Sequence, residues 1–205
     1  MSHRIRAGAL TALVVAGLTA LTALAAPAGA TAPATRPPAF LSASELPPHP
    51  SSTWTAGKVT DGVPQELGLC LADVFPGYDS RYREFRTDLD TSARQLTIVT
   101  GSAVKAKALA DRMNQEIRSC PDRIEEDPES GAAHRDYGTV RVEEGARVHG
   151  LHTWTSWGAT DVRLLSVGRD GRTVTVVDWS QLGDFTDAPV RDFKKTTGTA
   201  VGKLY

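Results

Sequence analysis

The side chains best suited to chemistry lie close together in residues 148–157, which read Val-His-Gly-Leu-His-Thr-Trp-Thr-Ser-Trp. β-Branched and aromatic residues at this density predict a strand, in which successive side chains point to opposite faces. His152, Trp154 and Ser156 then share one face, whereas His149 and Trp157 share the other. Because the two histidines point apart, we do not expect them to share a metal ion.

The two tryptophans of this stretch lie on opposite faces of the predicted strand, so one core does not bury both without a bulge. We expect one of Trp154 and Trp157 to line an exposed surface, where an indole stacks well on a sugar or peptide ring. The competing interpretation places the second tryptophan beneath a helix or a loop. The sequence leaves this choice open.

Two charged residues interrupt otherwise apolar strands farther along the chain, namely Arg163 and Asp178. Charges inside a sheet usually lie at its rim or form a cross-strand pair. In a cleft they would instead orient a polar ligand. We therefore take His152, Trp154, Trp157, Arg163 and Asp178 as the candidate ligand-binding residues.

A hydrolytic triad is the alternative chemistry that these residues allow, with His152, Ser156 and Asp178 as its members. Ser156 lacks the GxSxG elbow that exposes a nucleophile, and any strand hydroxyl would suit the same scheme. We expect no catalytic residue and no enzyme activity. An extracellular hydrolase acting on cell-wall material remains the alternative function.

The beginning of the chain has the pattern of an export signal. Arg4 and Arg6 precede a long uncharged run, and Ala-Gly-Ala at 28–30 is the small-residue pattern that a signal peptidase recognises. A membrane anchor is the competing interpretation, but the run is rich in Ala, Thr and Gly and lacks a basic stop-transfer flank. We expect a signal peptide at 1–30, a Pro/Ala-rich spacer at 31–39, and a secreted, extracellular protein without stable membrane insertion.

Charge and cysteine content restrict the possible partners. The chain has 23 Lys and Arg residues against 24 Asp and Glu, a net charge of −1, so it lacks the basic surface that nucleic acids require. Cys70 and Cys120 are expected to pair in an exported protein. Neither has neighbours that would activate a thiolate or complete a metal site, so we expect a structural disulfide, no metal and no cofactor.

Hydrophobic periodicity predicts a hairpin, a helix, a four-stranded meander and a final helix. Short connections that contain glycine favour antiparallel pairing of the later strands. The predicted segments are strands 82–89 and 95–100, a helix from Ser102 to Pro121, a charged connector at 122–136, strands 138–143, 147–157, 160–168 and 173–179, and a helix starting near Asp187.

This order of segments is typical of an α+β fold, an antiparallel sheet with helices packed on one face. The apolar stripe of the first helix should meet one apolar face of the sheet. The expected buried cluster contains Leu109, Met113, Ile117, Val140, Val142, Val174 and Val176.

The order of landmarks resembles that of a known family. The Leu-Pro element at 45–47, Trp54 ahead of Cys70, the helix ending at Cys120, the meander and the last helix are similar to the extracellular sensor domains of actinobacterial serine/threonine kinases, the PknH-like family. The resemblance covers residues 40–205 and implies one α+β domain with a broad cleft for an unidentified extracellular ligand. Mycobacterial kinase members have a second disulfide, for which this chain has no cysteines.

The leading hypothesis is therefore a secreted, non-catalytic ligand-binding or sensing module of the bacterial cell envelope. Its expected partner is an unidentified extracellular small molecule or cell-wall ligand. A secreted protein that binds or inhibits another protein is a third hypothesis, which would show a flat apolar patch instead of a cleft.

Overall fold

The computed structural model describes residues 37–72, 74–75 and 79–205. The predicted signal peptide, residues 1–30, and the spacer up to residue 36 lie outside these ranges. Among the described residues, no helix is both long enough and apolar enough to cross a membrane.

The described residues form eight strands and four α-helices, which confirms the α+β class. The strands are β1 (Thr55–Ala56), β2 (Thr60–Asp61), β3 (Asp79–Arg86), β4 (Ser92–Val99), β5 (Ser130–Val140), β6 (Ala146–Thr155), β7 (Thr160–Asp170) and β8 (Thr173–Leu182). The helices are α1 (Gly68–Leu71), α2 (Ala103–Arg118), α3 (Cys120–Ile124) and α4 (Val190–Gly202).

All strands belong to one antiparallel sheet with the order β1-β3-β4-β8-β7-β6-β5, in which β2 also pairs with β3. Strands β5 to β8 form the predicted meander, and the turn glycines Gly145, Gly158 and Gly171 have positive φ. Strand β4 pairs with β8 along its whole length, from Ser92 opposite Ser180 to Val99 opposite Thr173. This pairing makes β4, β8 and β7 neighbours at the centre of the sheet.

The helices cover both faces of the sheet, which corrects the expectation that they pack on one face. Helices α1 and α2 pack with Val174 and Val176 of β8, whereas α4 packs with Val177 and Trp179 on the opposite face. The first seven residues of β8 are all buried. A strand whose side chains are buried on both faces needs a covering layer on each side, and this is the physical reason for the two layers.

The predicted cap of helix α2 and the predicted disulfide are both present in the structure. Ser102 caps the helix, because its side chain accepts a hydrogen bond from the Lys105 amide. The Cys70–Cys120 disulfide is present, with a Cα–Cα distance of 5.1 Å across a sequence separation of 50 residues. It ties α1 to the start of α3 beside the core.

Several details of the predicted elements are wrong. Both strands of the first hairpin begin three residues earlier than predicted, at Asp79 and Ser92. The segment 122–136 is not only a connector: α3 extends to Ile124 with proline in its first turn, and β5 already begins at Ser130. Proline is well tolerated at that position, since its missing N–H would have no intrahelical partner. Val140 and Val142 also leave the predicted cluster, because they pack near Val201 on the α4 side.

Candidate functional site

Helix α2 covers only part of its sheet face. Next to the covered part, the side chains on this face are mostly polar. Two neighbouring cavities of about 260 and 210 Å³ lie there, and Glu66 and Arg94 line both of them. We call the two cavities together the sheet groove. Its other lining residues include Glu84, Arg86 and Ser92 on one side of Arg94, and Thr153, Asp161, Arg163 and Ser180 on the other.

Arg163 and Asp178, both predicted as site residues, form an ion pair in the floor of the sheet groove. The Arg163 Nε and Nη2 atoms donate to Asp178 Oδ1 and Oδ2 at 3.2 and 2.7 Å. The Asp178 side chain is fully buried and that of Arg163 is 12% exposed. Burial tends to lower the pKa of Arg163, but the Asp178 carboxylate opposes it and leaves this pKa above its ordinary value.

Arg94 completes the network and was not predicted. Its Nη1 donates to Asp178 Oδ2 at 3.1 Å, and its Nη2 lies 3.3 Å from Glu66 Oε1. Arg94 faces Asp178 because β4 pairs with β8 in this register. No local sequence pattern indicates that pairing, since the two strands are separated by α2, α3 and three strands of the meander.

The side chains of the sheet groove are chemically suited to hydrogen bonds with a polar or anionic group. Guanidinium groups bind planar anions through paired N–H donors, and Asp178 holds two of them in fixed positions. Hydroxyls of Ser92, Thr153 and Ser180 add donors and acceptors for a polar ligand. Within the described ranges, no three His, Cys, Asp or Glu side chains gather in an arrangement that could hold a metal ion.

His152 and Trp154 lie on the other face of the sheet, together with Phe185, and we call these three residues the aromatic cluster. The His152 ring centroid is 5.2 Å from that of Trp154 and 5.6 Å from that of Phe185. The Trp154 side chain lies directly against Gly131, where a Cβ atom would be 2.3 Å from the indole. Glycine at this position therefore allows the indole to lie on the edge strand.

Both tryptophans of the predicted site are exposed. Trp154 is 42% exposed within the aromatic cluster, and Trp157 is 67% exposed in the turn between β6 and β7. This turn continues the two strands that contribute Thr153 and Asp161 to the sheet groove. The structure thus places Trp157 at the end of the strands that border the groove and Trp154 on the opposite face.

The residues of the hypothetical triad are not brought together. His152 Nε2 is 2.8 Å from Thr160 Oγ1, whereas the Asp178 carboxylate is engaged by two arginines on the opposite face of the sheet. Ser156 is exposed in the turn. A serine, histidine and aspartate in these positions cannot relay a proton, so this set does not support hydrolysis.

His149 and His152 point to opposite faces, as predicted, and His149 also has a partner that was not predicted, His134. His149 Nδ1 is 3.0 Å from His134 Nε2, and its Nε2 is 2.8 Å from Asn114 Oδ1. Since Asn114 Nδ2 donates to the Ala110 carbonyl, Asn114 Oδ1 must accept, and the proton of His149 resides on Nε2. Burial, and secondarily the neighbouring His134, lowers the pKa of His149 to about 4.

Comparison with known proteins yields structural neighbours only. No family model and no curated protein sequence matches the chain. Among solved structures, the extracellular domain of PknH from Mycobacterium tuberculosis matches at a TM-score of 0.48 and 10% identity, covering 80% of this chain and 97% of that domain. An uncharacterised protein from Mycobacterium smegmatis, an Rv0999 ortholog, matches at 0.44 and 13% identity, covering 76% and 90%. The first of these neighbours is a domain of the kind that the sequence landmarks resemble.

Proposed function

We propose that the protein is a secreted, non-catalytic ligand-binding or sensing module of the bacterial cell envelope, and that its ligand occupies the sheet groove. The ligand is an extracellular small molecule or a soluble piece of the cell wall. Export rests on the signal-like residues 1–30 and agrees with the pairing of both cysteines.

The single observation that carries the proposal is the arrangement of Arg94, Asp178 and Arg163 under two cavities. A buried ion network is a poor device for stability, because desolvation of the charges offsets most of their attraction. Here the fully buried Asp178 holds two guanidinium groups, each less than 15% exposed, next to open space. Fixed donors beside a cavity are what selective binding of a polar ligand needs.

Binding without turnover is favoured over the hydrolase because the groove lacks an activated nucleophile. Its hydroxyl groups belong to Thr55, Ser92, Thr153 and Ser180. The hydroxyl of Ser92 is hydrogen-bonded to that of Ser180 at 3.0 Å. None of the groove residues is a histidine that would accept a proton from them. The groove therefore offers contacts for recognition and no general base of that kind.

The test is to fill the sheet groove and measure binding of soluble muropeptides, the disaccharide-peptide fragments of bacterial cell wall. In Thr153→Trp, an indole projects into the 210 Å³ cavity, and we expect this variant to bind muropeptides about tenfold or more weakly than the unaltered protein. The matched control is Thr139→Trp, an exposed position on the edge strand β5, which should bind like the unaltered protein.

Backbone NMR titration gives both affinity and location. Signals of Arg94, Arg163 and Ser180 should shift in the unaltered protein and in the control. Muropeptide binding that Thr153→Trp leaves unchanged, or binding of no muropeptide at all, would reject the groove as a cell-wall site. Cleavage of muropeptides during the titration would support the hydrolase instead.

A further inference from the structure

Arg94 and Arg163 hold carboxylates in different ways, although both donate to Asp178. Arg163 presents the edge formed by Nε and Nη2, with distances of 3.2 and 2.7 Å to the two carboxylate oxygens. Arg94 uses only Nη1 for Asp178, at 3.1 Å. The Nε and Nη2 edge of Arg94, which is the geometry that suits a planar carboxylate, is therefore directed away from Asp178.

On that edge the donors of Arg94 are only partly satisfied. Nη2 lies 3.3 Å from Glu66 Oε1, whereas the buried Nε has no hydrogen-bond partner among the described residues. A buried N–H donor without an acceptor is costly, and a second carboxylate oxygen within hydrogen-bond distance of the same edge would satisfy it. Glu66 is thus an incomplete carboxylate partner.

The Glu66 side chain is also able to move away from Arg94. Its side chain is 47% exposed, against 13% for Arg94. Its main-chain carbonyl accepts from Arg163 Nη2 at 3.3 Å, so the backbone stays anchored while the side chain can turn toward solvent. Since Glu66 and Arg94 line both cavities, this ion pair lies where the two parts of the sheet groove meet.

We propose that Glu66 is an exchangeable occupant of a carboxylate site, and that the ligand of the sheet groove carries a carboxylate which replaces it on the Nε and Nη2 edge of Arg94. This inference rests on the proposed function of the groove. When the Glu66 side chain turns away, the two arginines face a single buried carboxylate, that of Asp178. The resulting positive charge attracts an incoming anion, and the paired N–H donors select a planar one.

The experiment compares binding of two sugars, N-acetylmuramate and N-acetylglucosamine, to the purified protein and to its Glu66→Gln variant. The two sugars differ by the lactyl ether group that carries the carboxylate of N-acetylmuramate. We expect Glu66→Gln to bind N-acetylmuramate about tenfold more tightly than the unaltered protein, because the competing carboxylate is gone. N-Acetylglucosamine should show no such gain. The control Glu126→Gln removes the same charge from an exposed residue outside the groove and should change nothing.

NMR of the arginine side chains locates the contact, since the Arg94 Nε–H signal should shift when N-acetylmuramate is added. Equal affinity of Glu66→Gln and the unaltered protein, an equal gain for both sugars, or no binding of either sugar would overturn the inference. Inorganic phosphate that gains as much as N-acetylmuramate would overturn the preference for a planar carboxylate. If muropeptides still bind and Thr153→Trp still blocks them, the proposed function survives and only the role of Glu66 fails.

Discussion

The hydrogen bond between the buried His149 and the partly exposed His134 predicts a specific loss of stability in acid. His149 is fully buried and neutral, and it accepts a hydrogen bond from His134 through Nδ1. A proton added to Nδ1 would turn this acceptor into a second donor facing the His134 N–H. Protonation therefore costs a hydrogen bond in addition to the burial of a charge.

The magnitude follows from the pKa of His149, about 4 in the fold against the ordinary value of 6.5. A pKa that is lower in the folded state gives stability that is complete above pH 6.5 and is lost as the pH falls toward 4. At about 1.4 kcal/mol per pH unit, the loss from this residue is about 3 kcal/mol. His134, whose pKa is also lowered chiefly by burial, acts in the same direction.

The assay is urea unfolding between pH 7.5 and 4, with His149→Gln as the variant that does not titrate. Glutamine keeps a donor and an acceptor near Asn114 and His134, and other groups that titrate in this range are common to both proteins. The free energy of unfolding of the unaltered protein should therefore fall by about 3 kcal/mol more than that of His149→Gln. If the free energy of unfolding depended on pH in the same way for the two proteins, the interpretation of His149 as a buried neutral histidine would be refuted.

Three further predictions concern the disulfide, the core and the exposed tryptophan. Replacing Cys70 and Cys120 together by serine should lower the free energy of unfolding by about 4 kcal/mol, because the bond closes a loop of 50 residues. In urea unfolding, Leu109→Ala should cost about 2 to 5 kcal/mol, whereas Val104→Ala, at a position 79% exposed, should cost less than about 0.5 kcal/mol. Trp157→Ala should weaken muropeptide binding by about 1 to 3 kcal/mol in a calorimetric titration and leave the melting temperature nearly unchanged.

Each of these has an outcome that contradicts it. Free thiols found by mass spectrometry of the non-reduced protein would remove the basis of the disulfide prediction. Similar losses in the free energy of unfolding for Leu109→Ala and Val104→Ala would mean that the apolar stripe of α2 does not face the core. A large fall in melting temperature with unchanged binding would assign Trp157 to packing and not to recognition.

The local elements of this protein follow from its sequence. The meander of β5 to β8, the cap at Ser102, the Cys70–Cys120 bond and the opposite directions of His149 and His152 all match the structure. The disulfide could be predicted because the chain has only two cysteines. The other features depend on turn residues, on the two-residue period of strands and on the capping preferences of a helix, which neighbouring residues determine. The same local patterns singled out Arg163 and Asp178 as unusual.

What these charges do was decided by tertiary structure. Arg94 meets Asp178 only because β4 pairs with β8, and Glu66 reaches Arg94 only because the segment before α1 folds over the sheet. The two helix layers and the pairing of His149 with His134 arise in the same way. Contacts between distant segments depend on the register and on which apolar faces are buried together, and no local periodicity specifies either. For that reason local sequence patterns predict the elements and some of the groove residues, whereas the groove itself forms only in the assembled sheet.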